Sequence, residues 1–490
     1  MKKLLALLLV FATMISVLVA CAQGDFEQSN DTVNTETGEP EQLDSIPADL
    51  KFNGEDVTII SRAYIGWTWD EVAVPELNSE PVNDAIFNRN VKVGDRLNVN
   101  IVSHAIDDVD QAKPIAEVQR AVLAGSDEYD LLAGAAYLVL QYTLEGLFCD
   151  MTQLEYLDLS QSYWMQDYNE VISYNDKQYS ATGMIALSTY RFAFVTMFNK
   201  NQFDDKSVPY LYEAVNNNEW TLDYQSALAD DFYQDLNGDG KKDEDDFYGL
   251  ITSPYISTDP YWASCDLTIV EKNADGEYEY VLDTARLSNA TDKILQLFYE
   301  SGTYVYPHTN YDAEQDDIRI AFADNKGAMC TTRLVAAEQS DIRNMEELYG
   351  IVPMPKYDSA QSGYGTLMHD QFTVFALPAT VKADRFDMLG AVLEVMASES
   401  MRTVKPAYYE IALKRKYMSD PVAWEMLDLI FDTVKIDAGI VYTNALGNPH
   451  DQLRQIITSK KNTVSSKYKR MNTTVGKYLS KMEKKLEGLE

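Results

Sequence analysis

The apolar positions of the chain fall into two regimes. Leu4 to Ala20 is an almost unbroken apolar run behind Lys2 and Lys3. It is too short, and too close to the start, for a comfortable spanning helix. Residues 22–48 are nearly free of apolar groups and cannot bury enough surface to offset their ordering entropy, so they read as a flexible spacer. Beyond them, periodic patterns begin. Val57-Thr-Ile-Ile60 reads as a buried strand. Pro81 announces a helix with Val82, Ile86, Val93 and Leu97 on one face, weakened locally by Gly94. Val99 and Ile101 alternate in a second strand over 98–102. Ile115 to Leu123 reads as a helix stopped by Gly125, and Tyr129 to Leu132 as a third strand. Strand–helix–strand–helix–strand predicts parallel strands joined by crossover helices.

The middle is less regular. Lys177 to Lys200 reads as extended. Helices are expected over Thr221–Ala229, Ala290–Tyr299, Leu389–Met396 and Ala423–Phe431. Strands are expected at Tyr349–Lys356, leaving through two prolines, and at Phe372–Leu377. Ser459 to Glu490 carries nine Lys/Arg and three Glu, with Val475, Leu479, Met482, Leu486 and Leu489 on one helical stripe. A basic amphipathic helix can touch anionic lipid. A terminal helix packed on an acidic body is the favoured reading.

The first apolar run ends in Leu18-Val19-Ala20-Cys21, which resembles a bacterial lipobox. The resemblance implies that residues 1–20 are a cleaved signal peptide. It also implies that Cys21 is the lipidated mature N-terminus and that 21–48 is the tether. The expected location is the extracytoplasmic face of the cell membrane, lipid-anchored. The formal charge, 41 basic against 77 acidic residues, is −36. That argues against nucleic acid or anionic lipid bound through the bulk surface. Cys149, Cys265 and Cys330 are too few for a disulfide framework, and no His/Cys cluster has zinc spacing. One bridge is possible, and three reduced thiols are expected.

Asp235-Leu-Asn237-Gly-Asp239-Gly240-Lys241-Lys-Asp243-Glu-Asp-Asp246 matches an EF-hand-type loop. Oxygen ligands fall at loop positions 1, 3, 5, 9 and 12, glycine at 6, and Lys241 would offer its carbonyl at 7. Asp246 stands where signalling loops place Glu. A structural calcium ion is expected here. A lone loop without a partner hand is no calcium sensor.

Five phrases together resemble family 1 extracellular solute-binding proteins of ABC transporters, the maltose-binding-protein group. They are Asp84–Asn90 with Arg96–Val99, Ala124–Leu132, Asp150–Trp164, Phe322–Met329 with Gly350–Tyr357, and Pro406–Glu410. The resemblance implies an α/β, two-lobed, type II periplasmic-binding-protein-like fold, with a ligand cleft between discontinuous lobes. It places lobe 1 at 49–190 and 353–405, and lobe 2 at 191–352 and 406–490. Crossings are expected near Ser188–Phe192, Gly350–Lys356 and Val404–Ala407. It further implies a monomer that works with ABC permease subunits.

Ligands in open α/β sheets bind beyond the carboxyl ends of the strands. By that rule the candidates are Tyr64, Trp67, Trp69 and Asp70 after the first strand, Tyr137 after the third, and Tyr190 and Arg191 at the first crossing. Tyr255, Trp262, Arg333 and Tyr364 are weaker additions. Aromatic faces stack on sugar rings, while carboxylates and guanidinium forks bind hydroxyls, so a carbohydrate is the expected ligand. Against each stands a plainer role: with 32 tyrosines, one Tyr usually packs, Trp164 is read as structural, and an arginine in an acidic protein usually ion-pairs. A peptide, polyamine or metal complex would suit the same fold. A glycan-active enzyme is the remaining alternative, but no nucleophile-elbow, zinc or phosphate-loop motif occurs, and His104, His308, His369 and His450 are scattered.

Replacing Cys21 by Ser should release the protein from the membrane fraction on cell fractionation. Retention equal to wild type would place the anchor elsewhere.

Overall fold

The computed structural model describes residues 43–63, 71–106, 111–307, 311–409 and 422–489, with backbone alone at 311–314. Cys21, Tyr64, Trp67, Trp69 and Asp70 lie outside them. Nine strands build two sheets. In chain order they are β1 (Glu55–Arg62), β2 (Val99–Ile106), β3 (Leu131–Ala135), β4 (Phe194–Asn199), β5 (Tyr248–Thr252), β6 (Thr303–Val305), β7 (Gly327–Arg333), β8 (Tyr349–Val352) and β9 (Thr373–Ala376). The first sheet runs β9-β3-β1-β2, with β1 parallel to both neighbours and β9 antiparallel to β3. The second runs β8-β4-β7-β5-β6. In it β5 is parallel to β6 and β7, while β4 is antiparallel to both of its neighbours.

The apolar run at Val57–Ile60 is explained by burial on both faces. Ile59 joins a core with Val93, Leu97 and Leu389, whereas Ile60 joins another with Ile115, Val118 and Leu132. Adjacent side chains of a strand point to opposite faces, so a strand covered on both sides reads as continuous rather than alternating. The covering helices are Pro81–Leu97, opened by its proline, and Lys113–Leu123. Gly94 has a packing reason within its helix. A Cβ there would meet the Val99 carbonyl at 3.0 Å, where the chain turns back through Asn98 in the left-handed region at φ 51° to start β2.

Trp164 is structural. Its indole donates to the buried Glu394 carboxylate at 3.0 Å, and Tyr163 donates to the same group. This ties the segment to helix Phe386–Glu399. The stretch 177–200 departs from its extended reading: a short helix, Ser188–Arg191, interrupts it before β4. The chain leaves the first sheet through that helix and returns between β8 and β9. The two passes are pinned by an antiparallel bridge between Ala193 and Met368. By helix Val422–Asp432 the chain packs on β8 again.

Among the described residues Cys149, Cys265 and Cys330 are free thiols. No helix among them is long and apolar enough to cross a membrane. The basic C-terminal segment forms helix Val464–Glu487. It buries Val475, Leu479, Met482 and Leu486 against the body.

Candidate functional site

Two arginines end two strands. Arg62 is the last residue of β1 and Arg333 the last of β7, so each stands at the carboxyl end of its sheet. They converge on Phe192, which lies on the first crossing. The Arg62 guanidinium carbon is 5.9 Å from the ring centre and that of Arg333 is 5.5 Å. Both side chains are buried. Arg62 donates to the Thr373 hydroxyl at 2.8 Å and also to the Gln111 side chain and the Gln371 carbonyl. Among the described residues its Nε has no partner. Gln111 in turn donates to the Gln371 side chain at 2.7 Å.

The return pass supplies the next groups. His369 packs edge-on to Phe194 at 5.8 Å, and its Nδ1 lies 3.4 Å from Arg333 Nη1. A guanidinium can only donate, so that contact uses the neutral imidazole. Burial, with Arg333, Arg454, His450 and Arg62 around it, holds His369 well below the usual histidine range. Asp370 is ringed by Arg454, Asp259, Arg333 and Arg62. Burial pushes its carboxyl up to about 7, against the pull of the arginines. Desolvation disfavours the charged form, and here it outweighs the neighbouring cations.

A second knot joins the C-terminal region to this cluster. Arg454 donates to both oxygens of the buried Asp259, Nε at 2.6 Å. Its guanidinium stands over Tyr255 at 4.9 Å, and Tyr255 donates to Asp451 at 2.8 Å. The arrangement therefore offers fixed donors from both sheets, a partly exposed carboxyl at Asp370 and the Gln371 amide. Its chemistry is that of polar groups able to hydrogen-bond a polar solute.

The expected ligand residues are divided by the structure. Arg333 and Tyr255 belong to the cluster, and Tyr137 stands beside it, its backbone N–H donating to the Asp370 carbonyl at 3.2 Å. Arg191 has the plainer role: it is ion-paired with Glu338 at 2.9 Å and stands over Tyr408. Tyr190 is buried against Tyr408, Tyr409 and Phe431. Tyr364 is a core side chain whose hydroxyl donates to the Val215 carbonyl, because the turn carrying it folds into the second lobe. Trp262 is also buried, edge-on to Tyr468, and borders a different cavity of about 480 Å³. Trp67, Trp69 and Asp70 lie outside the described residues. Arg62, Gln111, Asp259, His369, Asp370, Gln371 and Arg454 were not singled out from the sequence. Arg62 had a usable signal, a charge directly closing a buried strand. Asp259, Asp370 and Arg454 had none among so many charged residues.

The loop 235–246 lies elsewhere. It precedes β5, whereas the cluster gathers beyond the carboxyl end of that sheet. Asp235 accepts from the backbone N–H of Gly238 at 2.6 Å and of Gly240 at 2.9 Å, Asn237 from Asp239 at 2.9 Å, and Asp239 from Lys241 at 2.8 Å. Asp246 accepts from the Leu236 N–H and the Tyr233 hydroxyl. Gly238 and Gly240 both sit at φ 74°, the left-handed region open to glycine. Among the described residues no group of three or more His, Cys, Asp or Glu is placed to hold a metal ion.

No protein-family model matches the chain, and no curated protein matches it. Solved structures do resemble it. An ABC substrate-binding protein from Listeria monocytogenes in complex with cycloalternan superposes with a TM-score of 0.54 at 13% identity, covering 86% of this chain and 99% of that one. A solute-binding protein from Thermotoga lettingae bound with α-D-tagatose gives 0.55 at 12%, covering 87% and 100%. The maltose/maltodextrin-binding domain from Bdellovibrio bacteriovorus bound to maltotriose gives 0.52 at 13%, covering 88% and 100%. At such identities the likeness shows the fold: two α/β lobes of the type II periplasmic-binding-protein kind.

The cluster makes one pH prediction. Asp370 holds its proton more tightly in the folded chain, at about 7, than at its ordinary value of 3.8. Its contribution to stability is therefore full below about pH 4 and is lost as pH rises through about 7. Asp370→Asn has no such loss. Its melting temperature relative to wild type should climb from pH 5 to about pH 7 and level off above that, and a constant difference from pH 5 to pH 7 would contradict the assignment.

Proposed function

We propose that the protein captures a carbohydrate between its two lobes and delivers it to an ABC importer. It acts as a binding protein rather than an enzyme, tethered through Cys21 on the extracytoplasmic face. The observation that carries this reading is the meeting of Arg62 and Arg333, ends of strands in two different sheets, over the crossing residue Phe192. Donors contributed by both sheets at one point favour a solute held between the lobes. The sugars in the similar structures, cycloalternan, α-D-tagatose and maltotriose, favour a carbohydrate. In this reading Trp67 and Trp69, on the loop that follows β1, supply the stacking platform, with Asp70, Tyr137, Asp370 and Gln371 for hydroxyls.

One observation favours the enzyme alternative: Asp370, at about 7, could donate a proton. A glycosidase needs a second free carboxylate across the bond, and the neighbouring Asp259 is held by Arg454. A melting screen over carbohydrates, followed by product analysis, separates the readings. A bound sugar raises the melting temperature, because it binds only the folded state, and remains intact. Cleavage would make the protein an enzyme. With the best sugar, Trp67→Ala or Trp69→Ala should cost roughly 1–3 kcal/mol, the burial worth of a large side chain. That is about tenfold to a hundredfold in Kd. Wild-type affinity in both folded variants would remove the platform.

We also propose calcium at Asp235–Asp246, with Asp235, Asn237, Asp239, Asp243 and Asp246 as side-chain ligands and Lys241 through its carbonyl. The support is the spacing together with the bond from the Gly240 N–H to Asp235 across the turn. The ion would staple an acidic loop outside the cleft. Calcium should raise the melting temperature, and Asp235→Ala with Asp239→Ala should abolish the rise. Identical melts in calcium and in chelator would eliminate the site.

A further inference from the structure

The C-terminal helix, Val464–Glu487, has an outward face that sugar capture does not use. Its apolar side is committed to the body, with Tyr468, Val475, Leu479, Met482 and Leu486 buried. At about 100° per residue, Arg470, Lys477, Lys481, Lys484 and Lys485 fall in an arc of about 100° on the opposite side. All five are exposed. The helix has only two acids within its span, Glu483 and Glu487, and both lie on the other flank. Glu483 is turned inward, accepting from the Tyr278 N–H at 2.8 Å. The outward arc is therefore cationic throughout.

Two features make this more than a solvated helix face. Lys477, Lys481 and Lys485 are spaced four apart, and like charges at that spacing repel, so the ladder is held against the helix's own stability. The setting also runs the other way. Residues 459–490 carry nine Lys/Arg and three Glu, net +6, while the whole chain is −36, which leaves −42 for the rest. Beside the ladder lies a groove of about 280 Å³, lined in part by Tyr478, Lys481 and Lys485, with Glu145 on its far side.

We infer that this face is a docking surface for an anionic phospholipid bilayer, with the lysine ladder meeting the negatively charged headgroups. The contact is electrostatic and does not insert, because the apolar side of the helix is already buried. It acts within a screening length of about 8 Å, so only this face holds to the surface while the acidic remainder is repelled. The effect is to orient the body on the membrane. This inference does not depend on the ligand being a sugar.

Lysine acetylation of the full chain on vesicles tests it. Phosphatidylcholine vesicles carrying phosphatidylglycerol are compared with phosphatidylcholine alone, so that any apolar attachment near the N-terminus is common to both. Lys477, Lys481 and Lys485 should label several-fold more slowly on the anionic vesicles and recover in ~1 M salt, where screening shortens to about 3 Å. Lys382, exposed on the first lobe, should not change. Equal labelling on the two vesicle types would overturn the inference. So would equal protection by inorganic phosphate without vesicles, which would make the face a free-anion site. The full chain with Lys477→Glu, Lys481→Glu and Lys485→Glu should melt near wild type and lose its preference for anionic vesicles. A folded variant that keeps the preference would likewise overturn it.

Discussion

The guanidiniums of Arg62 and Arg333 both approach the ring of Phe192, and much of the molecule is organised by that meeting. Each arginine closes a strand, and the strands belong to different sheets. A buried guanidinium must be surrounded by acceptors, since it cannot shed its charge. Arg62 takes its acceptors from Gln111, Gln371 and Thr373, and Arg333 makes contact with His369. His369 and Gln371 lie on the return pass, Thr373 at its end and Gln111 after β2, so the charge requirement draws these segments to the strand ends. The polar cluster and the connection between lobes are thus one construction.

The same geometry separates the functions of the two ends of the second sheet. Beyond the carboxyl ends of β5 and β7 stand Tyr255, Asp259 and Arg333. Before β5 stands the acidic loop 235–246, whose side chains cap its own backbone amides. A strand of five residues spans roughly 17 Å at its usual rise, which keeps the loop out of the cleft. A change at the loop can alter local stability without touching the solute.

Charge is arranged with similar separation. The body is strongly acidic, yet its interior concentrates Arg62, Arg333 and Arg454 with Asp259 and Asp370 at one point, and the basic C-terminal helix presents its cations outward. The interior charges are desolvated, and Arg454 is paired with Asp259, so salt reaches them little. Those on the helix are exposed and fully screened. Interactions made at the two places will therefore answer differently to ionic strength.

Local patterns in the sequence determined the elements. The double-sided burial of Val57–Ile60, the proline opening at Pro81, the turn through Asn98 and the inward stripe of the C-terminal helix are all short-range signals, because periodicity and caps act within a few residues. The α/β, two-lobed class was legible from their order and from the phrases shared with solute-binding proteins. The site was only partly legible. Tyr137 could be named because it follows a strand, Tyr255 and Arg333 entered only as weaker additions, and Arg62 could have been named as the close of a buried strand. Tyr364 and Trp262 were weaker additions and Arg191 was chosen for its place at the first crossing, and neither residue type nor place in the chain distinguishes a ligand contact from a core ring or an ion pair. That distinction is made by what the chain brings against the side chain from far away: Val215 for Tyr364, Tyr468 for Trp262, Glu338 for Arg191. The tertiary structure alone decided that Asp370 and Arg454 share one buried cluster with Arg62. Arg62 lies more than three hundred residues before either of them, and only the repeated crossing between lobes closes that distance.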